Sequence, residues 1–225
     1  MMKTILTLTL LMALTLAQAQ VTTTSYTNSP NAGIPDGSPI GLTEQFTVSG
    51  MGGSISNIKV TLDITGGFNG DLYAYLISPT GQMAVLLNRS GITGSNPFGY
   101  GNAGLNITLD SSSANIHGYG SSFSTNGLGQ VTGPWGADGR NIDPQSAGTV
   151  FDSAATTANL GIFQDGNANG VWTFFIADLS GGGGTANLNS VILNIMTVPE
   201  PQTWVMLGGG LALLCLCRSR RAFRW

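Results

Sequence analysis

Residues 55–64 read Ile-Ser-Asn-Ile-Lys-Val-Thr-Leu-Asp-Ile. From Ile58 onward every second side chain is apolar: Ile58, Val60, Leu62 and Ile64 alternate with Lys59, Thr61 and Asp63. Successive side chains leave a strand on opposite sides, so this period of two predicts a strand with one face buried. Nowhere between Gln20 and Val198 does a helical period of useful length compete with it. Residues 71–77 and 83–87 are apolar on both faces and are joined through Ser78-Pro79-Thr80-Gly81. Proline presets one turn angle and glycine frees another, so this predicts a hairpin inside a sheet. Further strands are expected at residues 44–48, 105–109, 171–177 and 189–196, separated by turns rich in Gly, Ser and Asn. Short strands with such connections predict an all-β fold, an antiparallel β-sandwich with the jelly roll as its form. Residues 20–43 read as an extended leader along a sheet edge ahead of a sandwich spanning 44–197. The run 115–148 is too long for a simple connection and reads as either a functional surface loop or a partly disordered one.

Composition narrows the chemistry. The chain has 225 residues, a formal net charge of −3 and one histidine, His117. No cationic surface is available for phosphate backbones, which argues against nucleic acid as a partner. A single imidazole rules out any site built from several histidines. Between Gln20 and Val198 only Lys59, Arg89 and Arg140 stand against ten carboxylates, a formal charge of −7. Oxygen ligands and negative charge suit a hard divalent cation such as Ca2+. Asp165, Asn167 and Asn169 carry the D-x-N-x-N-G spacing of a calcium loop, with Gly170 closing it. Its twelfth position is Ile176, where an EF-hand has a bidentate glutamate, so the same residues also read as an Asx-rich turn. Asp71, Asp110 and Asp178 either add carboxylates to such a site or cap turns and strand ends.

A serine-type triad needs a nucleophile, a base and an orienting acid. His117 is the sole base candidate. It lies in a glycine-containing stretch, Asn115 to Ser122, that reads as an exposed loop, and no Gly-x-Ser-x-Gly elbow is present. No catalytic residue is therefore assigned. Trp135, Tyr100 and Tyr119 sit in predicted loops and are candidate ligand contacts, while Trp172 sits in a strand and reads as core.

The two ends read as addresses. Lys3, an apolar stretch from Thr4 to Leu16 and Ala17-Gln18-Ala19 have the form of a signal peptide over residues 1–19, cut by signal peptidase after Ala19. At the other end Pro199-Glu200-Pro201 is followed by an apolar run at 203–217 and by Arg218, Arg220, Arg221 and Arg224. As a helix the run measures about 22 Å, short against a hydrocarbon core of about 30 Å. It predicts a short membrane helix with its arginines on the cytoplasmic side. Both cysteines, Cys215 and Cys217, lie in this run, so no disulfide staples the body.

Residues 198–225 resemble the PEP-CTERM sorting signal of Gram-negative bacteria. That resemblance implies recognition by an exosortase-type transpeptidase, removal of the tail, and delivery to the cell surface or an exopolysaccharide matrix. Asn69-Gly70-Asp71-Leu72-Tyr73-Ala74-Tyr75-Leu76 with Ser78-Pro79-Thr80-Gly81 resembles the P/Homo B domain, the P domain that accompanies subtilisin-like proprotein convertases. Ile107-Thr108-Leu109-Asp110 is similar to its central strand, and Gly170-Val171-Trp172-Thr173-Phe174 to its Gly-x-Trp-Thr-Leu segment. The resemblance covers roughly residues 44–196 and implies a galactose-binding-like β-sandwich. Together the two resemblances imply a non-catalytic exported module. Its alternatives are an accessory domain for a subtilase on another chain and a glycan-binding module for exopolysaccharide.

Overall fold

The computed structural model describes residues 20–120 and 122–199. The expected signal peptide, and the tail from Glu200 through the arginines, lie outside the described residues. Among the described residues no helix is long and apolar enough to cross a membrane.

Among the described residues eleven strands follow one another: β1 (Thr22–Asn28), β2 (Ala32–Gly33), β3 (Ser38–Val48), β4 (Ser54–Thr65), β5 (Leu72–Ile77), β6 (Met83–Asn88), β7 (Leu105–Asn115), β8 (Ser124–Thr125), β9 (Val131–Gly136), β10 (Gly170–Asp178) and β11 (Asn187–Val198). The only α-helix among the described residues, α1 (Gly148–Ser153), is short. One sheet runs β1-β11-β4-β7-β9-β8, with β2 also paired to β11, and the other runs β3-β10-β5-β6. The strand predicted from the alternation is β4. Its Ile58, Val60, Leu62 and Ile64 are all buried, each such side chain contributing about 1.5–3 kcal/mol of transfer free energy. They join residues of the second sheet, Leu72, Leu76, Trp172, Phe174 and Ile176 among them, in one continuous apolar core.

The leader is part of the first sheet. β1 runs antiparallel along β11, from Thr22 opposite Thr197 to Asn28 opposite Val191, and forms that sheet's edge. The expectation of an antiparallel fold needs one correction, because β9 runs parallel to β7, with Leu105 opposite Val131 and Leu109 opposite Trp135. A parallel neighbour requires a crossover connection. The residues between β7 and β9 supply it, with a 3-10 turn at Ile116–Gly118 and the short strand β8 returning antiparallel onto β9.

A second correction concerns the hairpin. β5 is interior, but β6 is the last strand of its sheet. β6 is nonetheless apolar throughout because the segment after β9 covers it. Asp138 N–H donates to Leu86 O at 3.0 Å, Gly139 N–H to Val85 O at 2.9 Å, and Val85 N–H to Ala158 O at 2.8 Å. A register shift at Ala74/Tyr75 leaves Leu86 as an extra residue, so that Ala84, Val85, Leu86 and Leu87 are all buried. The described part of the 115–148 run combines packed structure, with His117, Tyr119, Val131 and Gly136–Gly139 buried, and an exposed stretch that includes Ser124, Thr125 and Gly127–Gly129.

Candidate functional site

The Gly70-Asp71-Leu72 sequence enters the second sheet through a 3-10 turn, Asn69–Asp71. Two hydrogen bonds bind this turn to the β6–β7 connection, Asn69 N–H to Asn102 O and Gly70 N–H to Tyr100 O, both at 2.9 Å. A Cβ on residue 70 would stand 2.6 Å from both Phe98 O and Tyr100 N, so the close approach of two backbones requires glycine there. Leu72 then drops into the core, and Asp71, 5% exposed, faces Arg89. Arg89 has a left-handed backbone, φ +49°. From it the guanidinium reaches Gly70 O through Nε at 3.2 Å and Asp71 Oδ1 through Nη2 at 3.4 Å. Burial pushes the Asp71 carboxyl above its ordinary range, and the Arg89 charge with hydrogen bonds from Arg89 and Ser180 draws it partly back.

Asp178 ends β10 directly opposite Leu72, and Leu179 N–H donates to Asp71 O at 2.9 Å. Opposed residues of an antiparallel pair share a face, so the Asp178 side chain leaves the sheet on the core side. It is 0% exposed. Its Oδ1 receives only a long bond from Ser180 N–H, 3.4 Å, and its Oδ2 has no hydrogen-bond partner. Burial pushes this carboxyl up to about 6; Ser180 N–H opposes the shift, and the charges of Asp71 and Asp36 add to it. Gly37, beside Asp36, packs on the Ser180–Gly181 backbone. Asp71 in its 3-10 turn and Asp178 at the end of β10 thus meet at one corner, near the loop that carries Asp36, and the significance of Asp36 and Ser180 was not legible in any sequence motif.

The other oxygen candidates are placed elsewhere and are used locally. Asn169 clamps Met51 by accepting from its N–H at 2.9 Å and donating to its carbonyl at 2.8 Å. Asn167 Oδ1 accepts from Asn169 N–H at 2.9 Å, while Asp165, at φ +61°, pairs its N–H with Ile55 O. That loop contains an Asx turn and ties β10 to the start of β4. Asp110 accepts from the N–H groups of Ser112 and Ser113 at 2.9 and 2.7 Å and so caps a corner of β7. Burial would raise its carboxyl, but these donors and the Ser113 hydroxyl outweigh burial and hold it low. Among the described residues no group of three or more His, Cys, Asp or Glu side chains is placed to hold a metal ion. Of the candidates that lie on separate segments, only Asp71 and Asp178 come together, through the Leu179 N–H to Asp71 O bond.

The loop aromatics are packed on one another. Tyr119 is 1% exposed, its ring centroid 4.2 Å from Tyr100 and 6.0 Å from Trp135. Its hydroxyl receives Asn69 Nδ2 at 3.3 Å and donates to Asn102 Oδ1 at 3.1 Å. Burial pushes that phenol up to about 12. Tyr119 is thus a core residue, which corrects its assignment as a ligand contact, and Tyr100 and Trp135 are its half-buried neighbours. Trp172 is buried as expected, with Nε1 donating to Ala168 O at 2.8 Å.

His117 departs from the expected exposed loop as well, because it is 5% exposed. Its Nδ1 lies 2.8 Å from Asp138 Oδ2, its Nε2 lies 2.9 Å from Ile92 O, and its ring stacks on Phe151. Arg140 completes the group, donating through Nη1 to Asp138 Oδ1 at 3.0 Å and through Nε to Phe151 O at 3.2 Å.

No curated protein matches the chain. The solved structures similar to it include two of a serine protease. A serine protease of Aeromonas sobria in complex with its chaperone has 14% sequence identity and a TM-score of 0.46, the match covering 84% of this chain and 29% of that one. The serine protease of Aeromonas sobria has 13% identity and a TM-score of 0.43, over 83% of this chain and 29% of that one. The chain therefore spans less than a third of the length of either protease chain. Residues 55–109, from β4 into β7 and with the Gly70-Asp71-Leu72 turn between them, match the family model of the proprotein convertase P-domain.

Proposed function

We propose that this chain is an exported, non-catalytic β-sandwich of the P-domain type, a jelly-roll module that binds or builds at the cell surface or in an extracellular matrix. In this reading signal peptidase removes residues 1–19, and an exosortase-type transpeptidase acts on the segment that begins at Pro199-Glu200-Pro201. The observation that carries the non-catalytic part is the fixing of His117. Both of its ring nitrogens are engaged, by a carboxylate and by a carbonyl. A general base must reach the proton it takes, and this ring is buried with each nitrogen turned to a protein oxygen rather than to an open cleft.

Intact-mass measurement of the protein recovered from the envelope and the medium tests the sorting route. The expected species begins at Gln20 and has lost the arginine-rich end. A species retaining residues 1–19 in the cytoplasm overturns the export reading. Peptide hydrolysis by the purified mature protein that stops on His117→Ala, in material shown to be folded, overturns the non-catalytic one. The P-domain match favours a second reading, docking onto a subtilase supplied by another chain. Recovery of one protease partner from the same fraction selects it, and recovery of polysaccharide selects a glycan-binding role.

A further inference from the structure

We propose that the outer edge of β1 is a docking edge for a second copy of this chain, the two β1 strands pairing antiparallel across a two-fold axis so that the first sheet runs on from one molecule into the next. The proposal goes beyond the sorting and binding roles above and does not depend on them. Three observations carry it.

The first is that β1 is the long sheet edge left unguarded. An edge strand offers a row of free N–H and C=O groups, and folds normally shorten, charge, kink or cover such edges. The other sheet ends each show one of these devices. β8 is two residues long, and β6 lies under the segment 138–158. β3 carries Pro39, a left-handed Gly41 and Glu44, and its Gln45 carbonyl accepts from Asn28 Nδ2 at 3.1 Å. β1 is seven residues long, has no proline and no charged side chain, and pairs with β11 without a register shift. Among the described residues no strand pairs with its other side.

The second is charge. The body between Gln20 and Val198 carries a formal −7, so two copies repel over most approaches. Residues 20–35 carry no charge, and neither does β11 beside them. Two copies can therefore bring their β1 backbones together without setting carboxylates against each other.

The third is that β1 matches itself. With Ser25 on the axis, Thr24 stands opposite the partner's Tyr26 on the half-buried face, and Thr23 stands opposite the partner's Thr27 on the exposed one. Aromatic–β-branched and Thr–Thr pairs are among those that stabilise antiparallel neighbours. A self-complementary edge closes as a two-fold pair, which selects a second copy as the occupant over a strand from another protein.

The test is sedimentation equilibrium of the mature protein recovered from cells, from micromolar to millimolar concentration. It compares wild type, Ser25→Lys, Ser25→Glu and an equimolar mixture of the two variants. One shared edge is a small interface, so the association belongs to the weak class. The wild-type mass is expected to rise towards twice that of the monomer. Ser25 is exposed and its side chain loses only a surface bond to Asn194, so each variant should melt within a few degrees of wild type. Each alone should stay monomeric, because like charges then face each other at the axis. The mixture should regain the dimer, because opposite charges then meet there. Association that survives in both variants overturns the proposal, and so does a mixture that stays monomeric. A wild type that stays monomeric overturns it too, and if that wild type instead retains a different protein that Ser25→Lys loses, the edge belongs to that protein.

Discussion

His117 Nδ1 and Asp138 Oδ2 lie 2.8 Å apart in an almost fully buried contact that joins the turn after β7 to the segment covering β6. Asn115 reinforces the join, donating through Nδ2 to the carbonyls of Ala137 and Asp138 at 3.1 and 2.8 Å. Asn88 does the same from β6, donating to Arg140 O and Ile142 O at 3.0 and 3.2 Å. The lone imidazole is thus the fastener of a strap, and the strap is what allows an edge strand to be apolar.

Replacing that imidazole should therefore cost stability. His117→Ala leaves Asp138 Oδ2 without its imidazole partner and removes the stack on Phe151. Leaving a buried polar group without its hydrogen-bond partner typically costs about 1–3 kcal/mol, and the lost stack adds to it, so a loss of about 3 kcal/mol is expected. Urea unfolding checks it. A loss below about 0.5 kcal/mol would place the fastening elsewhere.

The Tyr119 phenol, pushed up to about 12 from an ordinary 10 mainly by burial, predicts alkaline sensitivity. Its folded value lies above its unfolded one, so the unfolded chain ionises first, and stability falls as pH rises from about 10 towards 12. Tyr119→Phe should remove that part of the slope. The same variant should cost about 1–2 kcal/mol at neutral pH, since Asn69 Nδ2 and Asn102 Oδ1 lose their shared hydroxyl. Denaturant melts across this pH range, with wild type and variant side by side, measure both effects.

Sequence legibility followed the range of the forces involved. The alternation in β4 and the two-faced apolar runs of β5 and β6 are local patterns, and the structure has strands at each. That β6 is an edge strand was hidden because its cover arrives from Asp138–Ala158, and one apolar face looks the same under a neighbouring strand or under a strap. The spacing of Asp165, Asn167 and Asn169 was legible as a turn, but the Met51 backbone that Asn169 clamps is far away in sequence. Asp71 and Asp178 were each visible as motif residues. Their meeting depends on the register that sets Asp178 opposite Leu72, and no single strand encodes that.

Gly70→Ala tests the close approach at the Gly-Asp-Leu turn. A methyl group there would stand 2.6 Å from Phe98 O and Tyr100 N, both backbone atoms that cannot move aside as a flexible side chain can. The expected cost is about 3 kcal/mol, at the upper end for overpacking. Hydrogen exchange should show weaker protection at Asn69 N–H and Gly70 N–H, which bond across that contact. Unchanged protection with unchanged stability would mean that the β6–β7 connection can withdraw from the turn.

Asp178→Asn carries the sharpest sign. The folded carboxyl is pushed up to about 6 from an ordinary 3.8, so the folded state holds its proton more tightly than the unfolded one. Its contribution is fully favourable below about pH 4 and is lost as pH rises through about 6. A rise of that size is worth at most about 3 kcal/mol. Asp178→Asn should accordingly be more stable than wild type at pH 8 and close to it at pH 4. Denaturant midpoints at the two pH values give the comparison. A variant less stable than wild type at pH 8 would show that the Asp178 charge is already compensated within the fold.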